Sequence, residues 1–316
     1  MEKNQTFIIH GTNDKLWNFQ ELISYLVKNQ RQHISLKINP EAICLETLGI
    51  YQLLDNFEFK QVDVYTHNQL EKHHKYNIVI DQSNEFLTED PDISNNLHVW
   101  DQTKTFLNLY GRPTANRLGI ASHLLDRHAD NSVIHFSVGN TCDDLPLYEI
   151  EKLSQYDLDS IGKVSKLIVS MPMEQASTTG YCKRHYNFRD NLTQLYQHIF
   201  VDIASESHVL GNTFFVTEKT TRPMWLKKPF IMFASKDYLD YLHQMGVKTF
   251  CNFWSEEYDG YDGRERYLRI LALIDELAKK SKEELQEIYQ AMQPILEHNY
   301  NLLQTQSYNT TITKIL

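Results

Sequence analysis

The chain is predicted to be an α/β protein built on two parallel sheets. Three observations carry this. Short apolar runs alternate with segments of helical spacing over the first hundred residues. The alternation restarts near residue 104. At 316 residues the chain is long enough for two ordinary domains. Strand–helix–strand order feeds parallel strands with helices over both faces. A boundary near residue 103 divides the chain into 1–103 and 104–316.

The elements follow in order. "TFIIHG" (6–11) reads as a strand. Residues 14–29 place Leu16, Phe19, Leu22, Ile23 and Leu26 at helical spacing. "HISLKI" (33–38) is a strand. A helix is expected over 39–57, with Asn39 as N-cap and Pro40 at the first helical position. "KQVDVYT" (60–66) and "YNIVIDQ" (76–82) are strands, and "HVWD" (98–101) is a weaker one. After 103, a strand over 104–110 ends at Gly111, and Thr114 is placed to cap a helix carrying Leu118, Ala121, Leu124 and Leu125. Residues 139–190 show no clear period. Further on, "FFV" (214–216) reads as an apolar strand end, and "PFIMFA" (229–234) as a buried strand. A helix over 236–246 ends at Gly246, and "VKTF" (247–250) is a short strand. An amphipathic helix is expected over 264–280. Ser281 and Glu284 form a capping box for a last helix, which Pro294 interrupts.

Composition narrows the function classes. Hydrophobic residues make up 41% and charged residues 23%, as in a soluble globular protein. No apolar run has the roughly 18 residues that a membrane span needs. The N-terminus lacks the apolar core of a signal peptide, so cytoplasmic residence is the expectation. The four cysteines are scattered, which suits buried reduced thiols better than a disulfide framework or a zinc site. Acidic residues outnumber basic ones 41 to 31, which argues against a general affinity for nucleic acid.

The chemistry concentrates in "FVTEKTTRP". Thr217 is a good N-cap, which puts Glu218 and Lys219 in the first turn of a helix at the carboxyl edge of a sheet. Free amides and the helix dipole favour an anion such as a phosphate there, and Lys219 adds a full charge. Glu218 offers two oxygens to a pair of ribose hydroxyls. An isolated Thr-Glu-Lys is also compatible with a capped helix whose charges are merely solvated.

The longer segment "SESHVLGNTFFVTEKTTRPMWLKKPFIMF" resembles the donor-binding segment of the α-1,3-fucosyltransferase family. The matching positions are Glu206 and Ser207, then Phe215, Val216, Thr217, Glu218 and Lys219, then "PFIMF". "Ser-Glu-Ser" stands where the family has "Glu-Asn-Ser", and the interval from Ser207 to Lys219 is longer. The likeness runs from 200 to 260 and, faintly, over 104–127. It implies two Rossmann-like domains facing a cleft, the GT-B-like glycosyltransferase architecture, with an N-terminal acceptor side and a C-terminal donor side. It implies that Glu218 holds the ribose and Lys219 the diphosphate. It also implies an Arg near the corresponding strand on the diphosphate, for which Arg112 and Arg117 are candidates beside an ordinary surface role. Arg222, one turn beyond Lys219, is a lesser one.

No Asp-x-Asp metal motif occurs in the donor region, and Asp157-Leu158-Asp159 fits by letters only. The expectation is a metal-independent reaction without a cofactor, the nucleotide-sugar being a co-substrate. Inverting sugar transfer also needs a base for the acceptor hydroxyl. His10 and Asp81, at strand ends of the N-terminal half, are the candidates, with Glu85 and Asp101 behind them.

Three readings stay open: transfer to a glycan or other hydroxyl acceptor, transfer to a modified base as in bacteriophage DNA glucosyltransferases, and a nucleotide-binding module without catalysis. The second is motivated by Lys183, Arg184, His185 and Arg189 interleaved with Tyr181, Tyr186 and Phe188.

Overall fold

The computed structural model describes residues 6–12, 15–39, 43–81, 99–110, 114–136, 147–156, 162–164 and 195–306. Its strands form two sheets. The first contains β1 (Thr6–Thr12), β2 (Lys15–Leu16), β3 (His33–Asn39), β4 (Gln61–Thr66) and β5 (Asn77–Ile80), in the order β2-β1-β3-β4-β5. β1, β3, β4 and β5 are parallel, and β2 is an antiparallel hairpin partner of β1. The second contains β6 (Phe106–Tyr110), β7 (Ser132–Phe136), β8 (Val201–Ser205) and β9 (Phe230–Phe233), all parallel, in the order β7-β6-β8-β9. Every residue of β6, β8 and β9 is buried, as a parallel sheet covered on both faces requires.

The first sheet carries α1 (Phe19–Lys28) and the short α2 (Ile50–Leu54). Leu22 and Leu26 of α1 join Ile9, Ile34, Leu36 and Val64 in one core. The second half carries α3 (Ala115–His128), α4 (Leu147–Tyr156), α5 (Glu218–Trp225), α6 (Tyr238–Gln244), α7 (Gly263–Leu277) and α8 (Lys282–Gln306). Ile270, Leu273, Ile274 and Leu277 of α7 pack into its core with Phe200, Val201, Ile203 and Ile231. Fully burying each such side chain is worth about 1.5–3 kcal/mol. The capping box is formed as expected: Ser281 N donates to Glu284 Oε2 at 2.7 Å, and Glu284 N to Ser281 Oγ at 3.2 Å. Among the described residues no helix is long and apolar enough to cross a membrane.

Several sequence expectations need correction. The helix expected over 14–29 begins only at Phe19, because residues 15–16 are taken by the β1–β2 hairpin and Trp17 N donates to His10 O at 2.8 Å. The helix expected over 39–57 shrinks to Ile50–Leu54. Asn39 belongs to β3, and Gly49, at φ +70, breaks the helical path before Ile50. Residues 99–101 are not a strand. "VKTF" is not one either: its backbone is met by a side chain, with Lys248 N donating to Asn299 Oδ1 and Asn299 Nδ2 to Lys248 O, both at 2.8 Å. Residues 214–216 are irregular, so no strand runs directly into α5. Of the cysteines, Cys44 is buried but Cys251 is exposed, and Cys142 and Cys182 lie outside the described residues.

One of the contacts between the two halves is made by the loop ahead of α5. Asn68, fully buried just beyond β4, donates through Nδ2 to Asn212 O at 3.0 Å and accepts Phe214 N at Oδ1 at 3.0 Å. Gln69 N donates to Phe214 O at 3.1 Å. Gly211 makes the approach possible: at φ +74, a Cβ there would lie 2.1 Å from Thr47 Oγ1 and 3.0 Å from Cys44 Cβ. The loop that leads from β8 to α5 is thereby seated at the carboxyl end of β4.

Candidate functional site

The site is built where β8 ends. Glu206 follows that strand, and its N–H donates to Phe233 O at 2.9 Å, prolonging the β8–β9 ladder by one step. Its buried carboxylate then gathers donors from α5 and α6. Thr217 Oγ1 donates to Oε2 at 2.6 Å, while Thr220 Oγ1 and Tyr238 Oη reach Oε1 at 2.7 and 3.2 Å. A carboxylate has acceptor sites for all of them. Burial, with the Glu206 charge beside it, pushes the Tyr238 phenol well above its ordinary range, so it remains a donor.

Thr217 is the N-cap of α5, as its sequence position suggested. In extended conformation, its Oγ1 accepts Lys219 N at 3.2 Å, and its carbonyl accepts Thr220 N and Thr221 N. Glu218 and Lys219 therefore occupy the first turn. Lys219 Nζ lies 2.8 Å from Glu218 Oε1 and 3.3 Å from Thr217 Oγ1. The Lys219 side chain is 11% exposed and that of Glu218 42%, so the ammonium is held close to the protein while the carboxylate faces outward. Ser207, His208 and Phe215 line a small pocket together with Glu206, Thr217 and Tyr238.

In comparisons with known proteins, no family model, curated protein or solved structure matches this chain. The functional reading therefore rests on the geometry of these residues.

The other candidates are distributed as follows. Arg117 lies at the same carboxyl edge but is buried. Its Nη2 donates to Ser205 O at 2.7 Å and to Ser207 Oγ at 3.4 Å, and its guanidinium lies 5.5 Å from the Tyr110 ring centroid. In this arrangement it braces the end of β8. Arg222 turns toward the sheet interior, donating to Tyr196 Oη at 2.7 Å and pairing with buried Asp202 at 3.4 Å. Burial raises the Asp202 carboxyl above its usual range, against the pull of Arg222. Arg112, Glu85, Asp157, Asp159 and the basic–aromatic stretch 181–189 lie outside the described residues.

Of the acceptor-side candidates, His10 lies inside β1 rather than at its end, since the strand continues to Thr12. Asp101 is tied to His198 and to Thr103 N. Asp81 follows β5, its N–H donating to Thr66 O at 2.7 Å. Beside it stands His67, which the sequence reading passed over. His67 follows β4, and its ring centroid lies 5.6 Å from that of Phe215. The rule that selected Asp81, a polar residue just past a parallel strand, selects His67 equally well in "VYTHN".

Among the described residues one group has the composition to hold a metal ion: His123 and His128 of α3 with Asp275 of α7. Both Nε2 atoms meet Asp275 Oδ1, at 2.8 and 2.7 Å, and Arg127 meets Oδ2 at 2.9 Å. Burial opposes ionisation of Asp275, but the bonds from His128 and His123 and the Arg127 charge outweigh it and hold its carboxyl below the usual range. His128 closes α3 beside Phe106, the first residue of β6, at the edge opposite Glu206. The group acts as an ion-pair clamp between α3 and α7.

Proposed function

We propose that this chain is an inverting, metal-independent glycosyltransferase of fucosyltransferase-like type. It would move a hexosyl or pentosyl group from a GDP- or UDP-linked donor to a hydroxyl acceptor, across two Rossmann-like domains in a GT-B-like arrangement. The observation that supports this best is the first turn of α5. There a capped helix start, a nearly buried ammonium and an outward carboxylate share one loop at the end of β8. A diphosphate arriving at the helix N-terminus meets the positive end of the helix dipole and the Lys219 charge. Lys219 then exchanges its Glu218 partner for phosphate oxygens, and Glu218 is released to accept from ribose hydroxyls. As the sugar leaves, charge grows on the diphosphate, and the same cation and dipole stabilise it where other transferases use a divalent ion.

Calorimetry with GDP and UDP, beside a hydrolysis panel of GDP- and UDP-sugars, tests the reading. Binding of one nucleotide with turnover of its sugar conjugate supports it. Binding without turnover of any donor favours the non-catalytic module, and no binding removes the nucleotide reading altogether.

A further inference from the structure

We propose that His67 is the general base that activates the acceptor hydroxyl, with Asp81 as its positioning residue. The inference rests on the transferase reading above and assigns the acceptor side of the same site.

The sheet brings the pair together. In the β4–β5 register Thr66 lies opposite Ile80, so one step further His67 lies opposite Asp81. The bond from Asp81 N to Thr66 O, 2.7 Å, fixes that step. His67 Nδ1 is 3.3 Å from Asp81 O. A carbonyl oxygen only accepts, so Nδ1 carries the proton and Nε2 carries the lone pair. Nε2 lies 4.0 Å from Asp81 Oδ2. The backbone of Asp81 thus sets the tautomer that accepts a proton, and its carboxylate stands ready to stabilise the imidazolium once the proton arrives. The His67 side chain is 18% exposed, sheltered yet reachable.

The ring also faces the donor elements. From the loop before α5 it meets the uncharged Phe215 ring, 5.6 Å away between centroids, two residues before the Thr217 cap and three before Glu218. Among the described residues His10 is bonded instead to Asn18 and Trp17, away from this loop. The registers His10–Asn39 and Lys37–Tyr65, the latter extended two residues, put His10 in the same row as His67 but two strands away, roughly 10 Å.

The step balances as follows. His67 Nε2 takes the hydroxyl proton. The acceptor oxygen forms a bond to the anomeric carbon with its freed electron pair. The bond from that carbon to the diphosphate oxygen breaks, and its pair leaves with the nucleotide diphosphate beside Lys219. Configuration at the carbon inverts, and the proton stays on the imidazolium next to Asp81.

The test compares wild type, His67→Gln and Asp81→Asn. His33→Gln serves as control, since His33 makes a separate pair with Asp63 at 2.7 Å in the same sheet. Nucleotide release from UDP-glucose, GDP-mannose and GDP-fucose, with water as acceptor, is followed between about pH 5 and 9. Affinity for UDP and GDP is measured in parallel. His67→Gln is expected to lose about 100-fold or more in kcat and the acid limb of the profile, with nucleotide affinity unchanged. Asp81→Asn is expected to move the acid limb to lower pH, because the imidazolium loses its counter-charge. His33→Gln is expected to match wild type. If His67→Gln stays within about threefold of wild type and keeps the acid limb, the assignment of His67 is overturned while the transferase reading stands. If wild type releases no nucleotide from any donor, both fall. Should His67→Gln fail to fold, an unshifted acid limb in Asp81→Asn overturns the assignment by itself.

Discussion

Glu206 and Thr217 are joined by a 2.6 Å hydrogen bond that fastens the end of β8 to the N-cap of α5. This bond sets where the helix starts and hence where Glu218 and Lys219 stand. Glu206→Ala leaves Thr217, Thr220 and Tyr238 hydroxyls without their acceptor. Stability should fall by about 2–4 kcal/mol, the range for breaking a buried network, as read by urea denaturation. Nucleotide affinity should weaken with it, although Glu206 touches no ligand in this scheme.

Lys219→Ala should weaken binding of the cognate nucleotide diphosphate by about 1.5–3 kcal/mol, as for a hydrogen bond to a charged group. Lys219→Arg should recover only part of this, because a planar fork does not fit the space of an ammonium so near Thr217 Oγ1. Titration calorimetry decides, and unchanged affinity in the alanine variant would return Lys219 to a merely structural place in the helix start.

Under the proposed scheme sugar transfer should continue in excess EDTA, since Lys219 and the α5 dipole would take the place of a divalent ion at the leaving diphosphate. Loss of turnover on chelation, restored by Mn²⁺ or Mg²⁺, would refute the metal-free scheme.

Lys228 offers a pH test away from the site. Its side chain is fully buried, with Nζ donating to Ile199 O at 3.2 Å, and burial lowers its pKa from 10.5 to about 7. Between those values the unfolded chain holds a proton that the folded chain lacks, so stability rises with pH across the window. Below about 7 the charge is buried in full and the penalty is complete. Lys228→Met should therefore stabilise the protein by roughly 2–5 kcal/mol at pH 6, with a smaller gain at pH 9. Thermal melts at both pH values measure the difference.

What the sequence made legible was local. The Ser281–Glu284 box and the Thr217 cap depend on residues within one turn, and both are formed as read. The strands at 6–11, 33–38, 60–66, 76–82, 104–110 and 229–234, with their short apolar runs, were equally plain, whereas β2, β7 and β8 were not read as strands. Misreadings arose where a distant group intervened. "VKTF" has a strand's composition, but Asn299 satisfies its backbone. Residues 39–57 have a helix's opening, but Gly49 takes a left-handed conformation that the letters do not force. His67 was missed because its interest lies in Asp81 and Phe215, which come close only when β4 meets β5 and the 212–217 loop folds back.

Asn68 has a consequence for how the chain can be cut. One carboxamide from the first half satisfies both the carbonyl of Asn212 and the amide of Phe214 in the second. A protein shortened to begin at residue 99 would keep β6 to β9 and α5 intact in sequence, yet those two backbone groups would lose their partner. The segment ahead of Thr217 would keep its packing of Phe214 on Tyr238 and Tyr241 but lose its anchor on the first half, and the isolated C-terminal half should take up nucleotide less well even though it retains Glu218 and Lys219. Supplying the first half as a separate chain should restore that affinity, because Asn68 and Gln69 return to the loop as a detachable clasp.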